Sequence, residues 1–313
     1  MTKEIALLQL MHTQGLGART LYKLLKRLGV EKMSLVDFVS LSGTDKIQYY
    51  GFKEETNTSF DDNYDKACHL DEILFEHNIK IITITDNSFP FKLKNTLGDQ
   101  TPPFLFVRGN LDILESHSVG FCGSRKASEI GVEVAHRSAS LLAQKGINIV
   151  SGYASGIDTS AHNAALNAGG YTTIVLAMGI LNFETKHVFA DSIDLNNTII
   201  ISEFIPKLQW IARNAMLRNS TICGLSDVMI VIESGLEGGT FEAGKTSLEL
   251  KIPLFVADYE KVNGTAQGNK VLIEKGGIPF GRKRDGEPNI DKILKEVNKD
   301  RNLKHPTLFD SIS

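Results

Sequence analysis

Two short turns that carry glycine and hydroxyl residues follow predicted strands. The turn at residues 123–128 comes after a strand over 118–122, and the turn at residues 151–158 comes after a strand over 147–150. Each turn leads into a predicted helix, whose free N-terminal amides and dipole favour an anion, and Arg125 adds a guanidinium that suits a phosphate. Because ligands bind at the carboxyl ends of the strands in an open parallel sheet, the turns predict one phosphate-binding cradle. Its candidate contacts are Gly123, Ser124, Arg125, Ser128, Ser151, Gly152 and Gly156.

Two more loops, at residues 202–203 and 233–240, follow predicted strands at the same edge. The second loop contains Gly238, Gly239 and Thr240, and its glycines allow the backbone to approach a ligand closely. Arg218 and Asn219 lie in a helical stretch before that loop. We expect these five residues to contribute to the same anion site.

One rival interpretation is nucleotide hydrolysis. Residues 239–246 fit the pattern GxxxxGK[ST] of an ATP-binding P-loop and follow an apolar strand. However, Glu242 would place a carboxylate inside a cradle for a triphosphate, and the neighbouring loops already predict another phosphate site. We therefore expect Lys245 to be a solvated helix residue.

A second rival interpretation is cleavage of a nucleotide N-glycosidic bond, because carboxylates follow several of the predicted strands. Residues 238–242 are similar in part to the Pro-Gly-Gly-x-Gly-Thr-x-x-Glu motif of phosphoribohydrolases, and Glu203, Glu233 and Glu242 are the candidate acids. Asp158 and His162 lie four residues apart on one helix face, but a helix N-cap and a packed histidine are the favoured roles. No spacing suggests a metal site.

Strand and helix patterns alternate along most of the chain. Apolar runs predict strands at 79–84, 104–107, 118–122, 147–150, 172–176, 198–201, 228–232 and 254–256, with helices such as 128–145 and 158–168 between them. This alternation predicts an α/β fold, a doubly wound Rossmann-like parallel sheet. We assign residues 61–290 to this domain and 291–313 to a C-terminal tail.

Residues 1–60 predict a small helical domain. Leu21, Leu24, Leu25 and Leu28 form one apolar helix face, with basic residues on the others. Gly15 and Gly17 precede this helix, as in a helix-hairpin-helix or SAM-like module, and the polar stretch 43–63 predicts a loop-rich link or a frayed helical end.

Composition restricts the class of protein. The 313 residues are 42% hydrophobic and 23% charged, with a formal net charge of −3, so a nucleic-acid partner requires a local basic patch. Three distant cysteines indicate reduced thiols. No segment approaches the roughly 20 apolar residues of a spanning helix, and no signal cleavage site is evident, which places the protein in the cytoplasm without a membrane partner.

An ordered set of motifs resembles the DNA-processing protein DprA (Smf) family. The matching motifs are Gly123-Ser124-Arg125, Ser151-Gly152-x-Ala154-x-Gly156-Ile157-Asp158, Ser202-Glu203, Arg218-Asn219 and Gly268-Asn269. The family implies a Rossmann-like domain that binds single-stranded DNA, forms homodimers and loads the RecA recombinase in natural transformation. It implies no enzymatic activity, cofactor or metal.

The resemblance also assigns individual residues. Arg125 stands where the family's arginine contacts a DNA phosphate, and Lys186 matches a basic position that lines the same pocket. The chain departs from the family at Glu184-Thr185, where Tyr-Pro is expected, and at Ala257-Asp258, where Pro-Gly is expected. It also lacks room after residue 290 for a winged helix, so the chain looks like a divergent or minimal member.

Overall fold

Six helices precede the first strand in the computed structural model, which describes residues 1–190, 192–259, 264 and 266–299. They are α1 (Lys3–His12), α2 (Ala18–Glu31), α3 (Leu35–Val39), α4 (Gly43–Tyr50), α5 (Glu54–Asp61) and α6 (Tyr64–Glu76). Helix α2 buries its leucine face and exposes its lysines and arginines, as its periodicity predicts.

The polar stretch 43–63 forms helices α4 and α5, where the sequence predicts a loop-rich link or the frayed end of the helical domain. Ser42 caps α4 by accepting a hydrogen bond from the Asp45 amide, and Gly51 ends the helix with a φ of 70°. Phe60 of α5 is buried, and its carbonyl accepts a hydrogen bond from Gln9. The domain boundary near residue 60 stays a prediction, and α6 packs against α1.

All nine strands of the described residues belong to one sheet. They are β1 (Lys80–Thr83), β2 (Phe104–Gly109), β3 (Ser118–Cys122), β4 (Asn148–Ser151), β5 (Thr172–Val175), β6 (Thr198–Ser202), β7 (Val228–Val231), β8 (Leu254–Ala257) and β9 (Ile278–Phe280). The order is β1-β2-β6-β5-β4-β3-β7-β8-β9, antiparallel at β1–β2 and β2–β6 and parallel elsewhere. The predicted α/β class with a leading helical region is confirmed.

Helices cover both faces of the sheet. They are α7 (Phe91–Leu97), α8 (Glu129–Ala143), α9 (Ile157–Asn167), α10 (Ala212–Leu225), α11 (Gly239–Glu249), α12 (Gln267–Glu274) and α13 (Asp291–Val297). Residues of α8, α9 and α13 share one apolar core with Phe121 and Ile149, whereas residues of α10, α11 and α12 share the other with Val150 and Met229. None of the described helices is long and apolar enough to cross a membrane.

The predicted C-terminal tail begins with a packed helix. Ile293 and Val297 of α13 are buried in the core that contains α8 and α9. The remainder of that predicted tail, from residue 300 onward, lies outside the described residues.

The chain reverses its direction of travel across the sheet at β3. Strands β4, β5 and β6 follow on one side of β3, and β7, β8 and β9 follow on the other. A crevice therefore opens at the carboxyl ends of β3 and its neighbours, where doubly wound sheets bind ligands.

Candidate functional site

The loops after β3 and β4 lie against each other, as the sequence predicts for a shared cradle. Gly156 has a φ of 77°, and a β-carbon there would overlap the Ser124 carbonyl oxygen. The Ile157 amide also donates to that oxygen, over 3.4 Å. Because only glycine permits this approach without strain, Gly156 holds the two turns together.

The N-terminus of α8 is closed by a carboxylate from the loop after β7. The Ser128 amide donates to Glu233 Oε2 over 2.9 Å, and the Ser128 hydroxyl donates to Oε1 of the same carboxylate while it caps α8. The Ser124 amide donates to the Glu233 carbonyl over 2.8 Å. Ser124 and Ser128, both predicted to contact phosphate, are therefore engaged in internal hydrogen bonds.

Two adjoining cavities open beside these loops. The first has a volume of about 220 Å³ and the second about 240 Å³, and both are lined by Arg125, Ala154 and Arg218. The first cavity brings together six of the predicted contacts, namely Gly123, Arg125, Arg218, Asn219, Gly239 and Thr240. The second is also lined by Lys186 and Trp210.

Arg218 gives the site its deepest positive charge. The residue is 7% exposed, and none of the described residues accepts a hydrogen bond from its Nε. A β-carbon on Gly152 would overlap the Arg218 guanidinium, so Gly152 makes room for it. Burying a cation is costly, and an anion in the cavity would offset the charge of the guanidinium.

A buried carboxyl group, Asp158, and a half-buried one, Glu203, lie near Arg218. Burial raises the pKa of Asp158, whose charged form the Arg218 guanidinium favours. Burial raises the pKa of Glu203 to about 7. A hydrogen bond from Thr221 Oγ1 and the charge of Arg218 act in the opposite direction and lower this pKa. Because these carboxyl groups resist ionisation, they neutralise the positive charge of the site only in part.

The ammonium group of Lys186 donates hydrogen bonds to the loop after β4. Its three ammonium protons match three acceptors, the carbonyl oxygens of Tyr153 and Ala154 at 2.9 and 3.2 Å and Thr159 Oγ1 at 2.9 Å. Its Nζ also lies 4.3 Å from the centroid of the Tyr153 ring. Burial lowers the pKa of Lys186. Lys186 therefore adds charge to the wall of the second cavity while it fixes the loop.

Ser151 and His162 support the loop from below. Ser151 is buried and donates to the Phe121 carbonyl over 2.7 Å. His162 Nε2 donates to the Gly152 carbonyl over 2.5 Å, and burial lowers the pKa of the ring to about 4. The predicted packing of His162 behind the loop is confirmed, whereas Asp158 is not the N-cap, because α9 begins at Ile157 and Gly156 occupies that position.

Residues 239–246 are helical and do not form a P-loop. Helix α11 begins at Gly239, directly after Gly238 with its φ of 97°, so the residues that would wrap a triphosphate form helical turns. Lys245 Nζ lies 3.0 Å from both carboxylate oxygens of Glu242. Helix α11 lines the cavity with Gly239, Thr240 and Ala243, and Asn219 donates to the Gly239 carbonyl over 2.9 Å.

Sequence reasoning missed Trp210, an aromatic side chain that lines the second cavity. It follows β6 in an irregular segment, and the centroid of its ring is 5.2 Å from Cζ of Arg125. The available signal was the position of the chain's single tryptophan in a polar segment after a strand end. No cluster of three or more potential metal ligands occurs among the described residues.

Fold and site together define a Rossmann-like protein with arginine-lined cavities at the carboxyl edge of its sheet. Residues 80–286 match the family model of DNA recombination-mediator protein A. The chain belongs to this DprA/Smf family of DNA-processing and recombination proteins, and the resemblance inferred from its motifs is confirmed.

Individual relatives agree with this assignment. The chain is 32% identical over 196 residues to the DNA processing protein DprA of Streptococcus pneumoniae, which covers 62% of this chain and 68% of that protein. It is 33% identical over 179 residues to the protein Smf of Escherichia coli, covering 56% and 48% of the two chains.

Two solved structures share the fold. DNA processing protein A of Streptococcus pneumoniae superposes with a TM-score of 0.72 at 27% identity, over 89% of this chain and 94% of that one. DNA processing protein A of Helicobacter pylori, which has a structurally described single-stranded DNA binding mode, superposes with a TM-score of 0.56 at 25% identity, over 70% and 94%.

Proposed function

We propose that this chain binds single-stranded DNA through its phosphates at the two adjoining cavities. The observation that carries the proposal is Arg218, a buried guanidinium that lines both cavities. A phosphate oxygen is an acceptor of the matching charge. The single-stranded DNA binding mode of the Helicobacter pylori relative supports the same ligand class.

Some residues of the site contact the phosphates, and others position the loops that carry them. We assign phosphate contacts to Arg125, to Arg218 and to the first turn of α11 with Gly239 and Thr240. Gly123 and Asn219 complete the cavity wall. Gly152, Gly156, Ser151 and Lys186 hold the loops in place, as their contacts indicate. Because phosphates carry no base identity, this part of the site accepts most sequences.

Family membership supports a wider role for the same binding. We propose that the protein protects single-stranded DNA and loads the RecA recombinase onto it, works as a homodimer and acts in the cytoplasm without catalysing a reaction. DNA held by its phosphates keeps its bases accessible for pairing, which suits an intermediate in recombination.

Fluorescence anisotropy with a labelled oligo-dT tests the site. Arg125→Ala and Arg218→Gln are expected to weaken binding by about tenfold to a hundredfold, the effect of losing a charged hydrogen bond. Arg125→Ala also reduces the slope of log affinity against log salt by about 0.7, because one fewer phosphate is neutralised. Arg137→Ala is the control, since Arg137 is an exposed arginine of α8 paired with Glu133 and Glu287. Binding by Arg125→Ala and Arg218→Gln that equals the parent's would refute the site.

A nucleotide-cleaving enzyme is the second candidate, and one observation favours it. A Glu203 carboxyl with a pKa of about 7 beside Arg218 has the properties of a general acid. Incubation with ATP and with nucleoside monophosphates, followed by detection of released phosphate and free base, separates the two functions. Release that Glu203→Gln abolishes would establish the enzyme.

A further inference from the structure

Trp210 is placed where a tryptophan gains little from folding. It is the single tryptophan of the chain, and 47% of its surface is exposed. An indole buries a large apolar area when it joins a core, so an exposed ring is costly unless a ligand covers it. The ring therefore marks a candidate contact surface.

The backbone that carries Trp210 is fixed by its neighbours. The Leu208 carbonyl, two residues earlier, accepts hydrogen bonds from the Gly179 amide and from Asn182 Nδ2, each over 2.8 Å. Gln209 Nε2 donates to Asn182 Oδ1 over 3.0 Å. The Asn214 amide donates to the Ile211 carbonyl on the other side over 3.1 Å. The ring is thus presented from a braced segment.

Trp210 and the cations of the anion site share one cavity. Arg125, Lys186 and Arg218 line the cavity of about 240 Å³ together with Trp210. The Arg125 guanidinium lies over the indole at 5.2 Å from its centroid, a cation–π distance. One guanidinium covers one face of an indole, so the rest of the half-exposed ring is open to a second planar group.

We propose that Trp210 is a stacking platform for a nucleobase of the bound DNA strand. The inference rests on the proposed single-stranded DNA binding and extends it from the phosphates to the bases. A phosphate held by Arg125 is one sugar away from its own base, and the indole lies directly beside that guanidinium. Every base has a π-face, so stacking adds affinity without selecting a sequence.

Other exposed apolar side chains surround Trp210, among them Ile205, Leu208 and Ile211. Such a surface also fits a protein partner. Arg125 and Arg218 in the same cavity favour the nucleic acid, because their charges match a polyanion and would not be compensated by an apolar protein surface. A protein contact is one outcome of the test.

The tryptophan emission of the 313-residue chain, excited where tyrosine does not absorb, reports on Trp210 alone. Titration with oligo-dT is expected to quench this emission, in step with the anisotropy of a labelled strand. In anisotropy, Trp210→Ala is expected to bind about 5-fold to 100-fold more weakly, the effect of losing one base–aromatic stack. Trp210→Phe is expected to retain most of the affinity. Phe75→Ala removes an exposed aromatic of α6 and is expected to bind like the parent.

An oligonucleotide with abasic sites separates stacking from phosphate contact. The parent is expected to bind it more weakly than oligo-dT by the factor that Trp210→Ala loses, and Trp210→Ala is expected to bind both strands equally. Unquenched emission with parent-like binding by Trp210→Ala overturns the platform and leaves DNA binding intact. If Trp210→Ala binds like the parent, the emission is unquenched and the variant also shows altered self-association in sedimentation, the surface is a protein contact. That outcome overturns the stacking proposal as well. Absence of any anisotropy change at low salt overturns both proposals.

Discussion

The Arg218 guanidinium occupies the space that a side chain at position 152 would need. A β-carbon on Gly152 would overlap Nη1, Nη2 and Cζ of Arg218. The Gly152 carbonyl is in turn held by His162, so the loop after β4 cannot easily move away. A side chain at position 152 would therefore have to displace the Arg218 guanidinium.

Gly152→Ala is expected to displace Arg218 and to weaken DNA binding by about tenfold or more, because a charged donor moves away from the phosphate. The overlap is also expected to lower the free energy of unfolding by about 1–3 kcal/mol. Anisotropy titration and urea unfolding measure the two effects. Gly281→Ala is the control, since no atom lies within 4 Å of its added β-carbon. Unchanged binding by Gly152→Ala would show that Arg218 does not hold the strand.

Glu203 is expected to make DNA binding depend on pH. Its pKa of about 7 is raised by burial, so the group gains a negative charge as the pH rises through neutrality. That charge lies near Arg218 and opposes the phosphate, so affinity is expected to fall by about two- to fivefold between about pH 6 and about pH 8. Anisotropy titrations at several pH values measure the change.

The variant Glu203→Gln isolates this group. It is expected to bind DNA with a flatter pH profile, near the level that the parent reaches at the acidic end. His162 stays neutral over the range because its pKa is lowered to about 4. Asp158→Asn serves as a comparison, since burial raises the pKa of Asp158 as well. An unaltered profile in Glu203→Gln would assign the pH dependence to another group.

Lys245→Ala is expected to bind oligo-dT like the parent and to leave phosphate release from ATP at background. Lys245 is paired with Glu242 inside α11, so it does not reach a phosphate in either cavity. A phosphate-release assay with magnesium and ATP makes the measurement. Turnover by the parent that disappears in Lys245→Ala would contradict the helical assignment of this motif.

Asn269→Ala is expected to lower the free energy of unfolding by about 3–5 kcal/mol. The buried Asn269 side chain accepts from the Ser234 amide and donates to the carbonyls of Ile232 and Ala257, over 2.7 to 2.8 Å. Its removal leaves three buried backbone groups without that partner. Urea unfolding followed by circular dichroism measures the loss. The exposed Asn196→Ala is expected to change stability by less than about 0.5 kcal/mol, and an equal effect of both variants would refute this role.

The sequence specified the fold where the signal is local. The run at residues 118–122 was predicted as a strand with the observed bounds, because Val119, Phe121 and Cys122 make it short and mostly apolar and a glycine-bearing turn follows it directly. Strand β9 was missed because it is three residues long and contains Pro279. Helices α4 and α5 were missed because polar composition obscured the capping by Ser42 and the burial of Phe60.

The sequence predicted which loops and helices form the candidate site better than it predicted what each side chain does there. Arg125 and Arg218 meet at the predicted edge because the strand order places their elements together. The engagement of Ser128 by Glu233 joins residues 105 positions apart, and the contacts of Lys186 span about 30 positions. Such tertiary pairings leave no trace in local spacing.

Glu233 also has a consequence for small ligands. Its carboxylate already accepts a hydrogen bond from the Ser128 amide at the start of α8. Helix α8 follows β3, the strand at which the chain reverses direction across the sheet. Dinucleotide cofactors of related sheets place their pyrophosphate at such a helix start. Here a free nucleotide would have to expel a fully buried anion of the protein itself. The Glu233 carboxylate thus competes with a pyrophosphate for the start of α8. A polymer that contacts several neighbouring groups depends less on this one position.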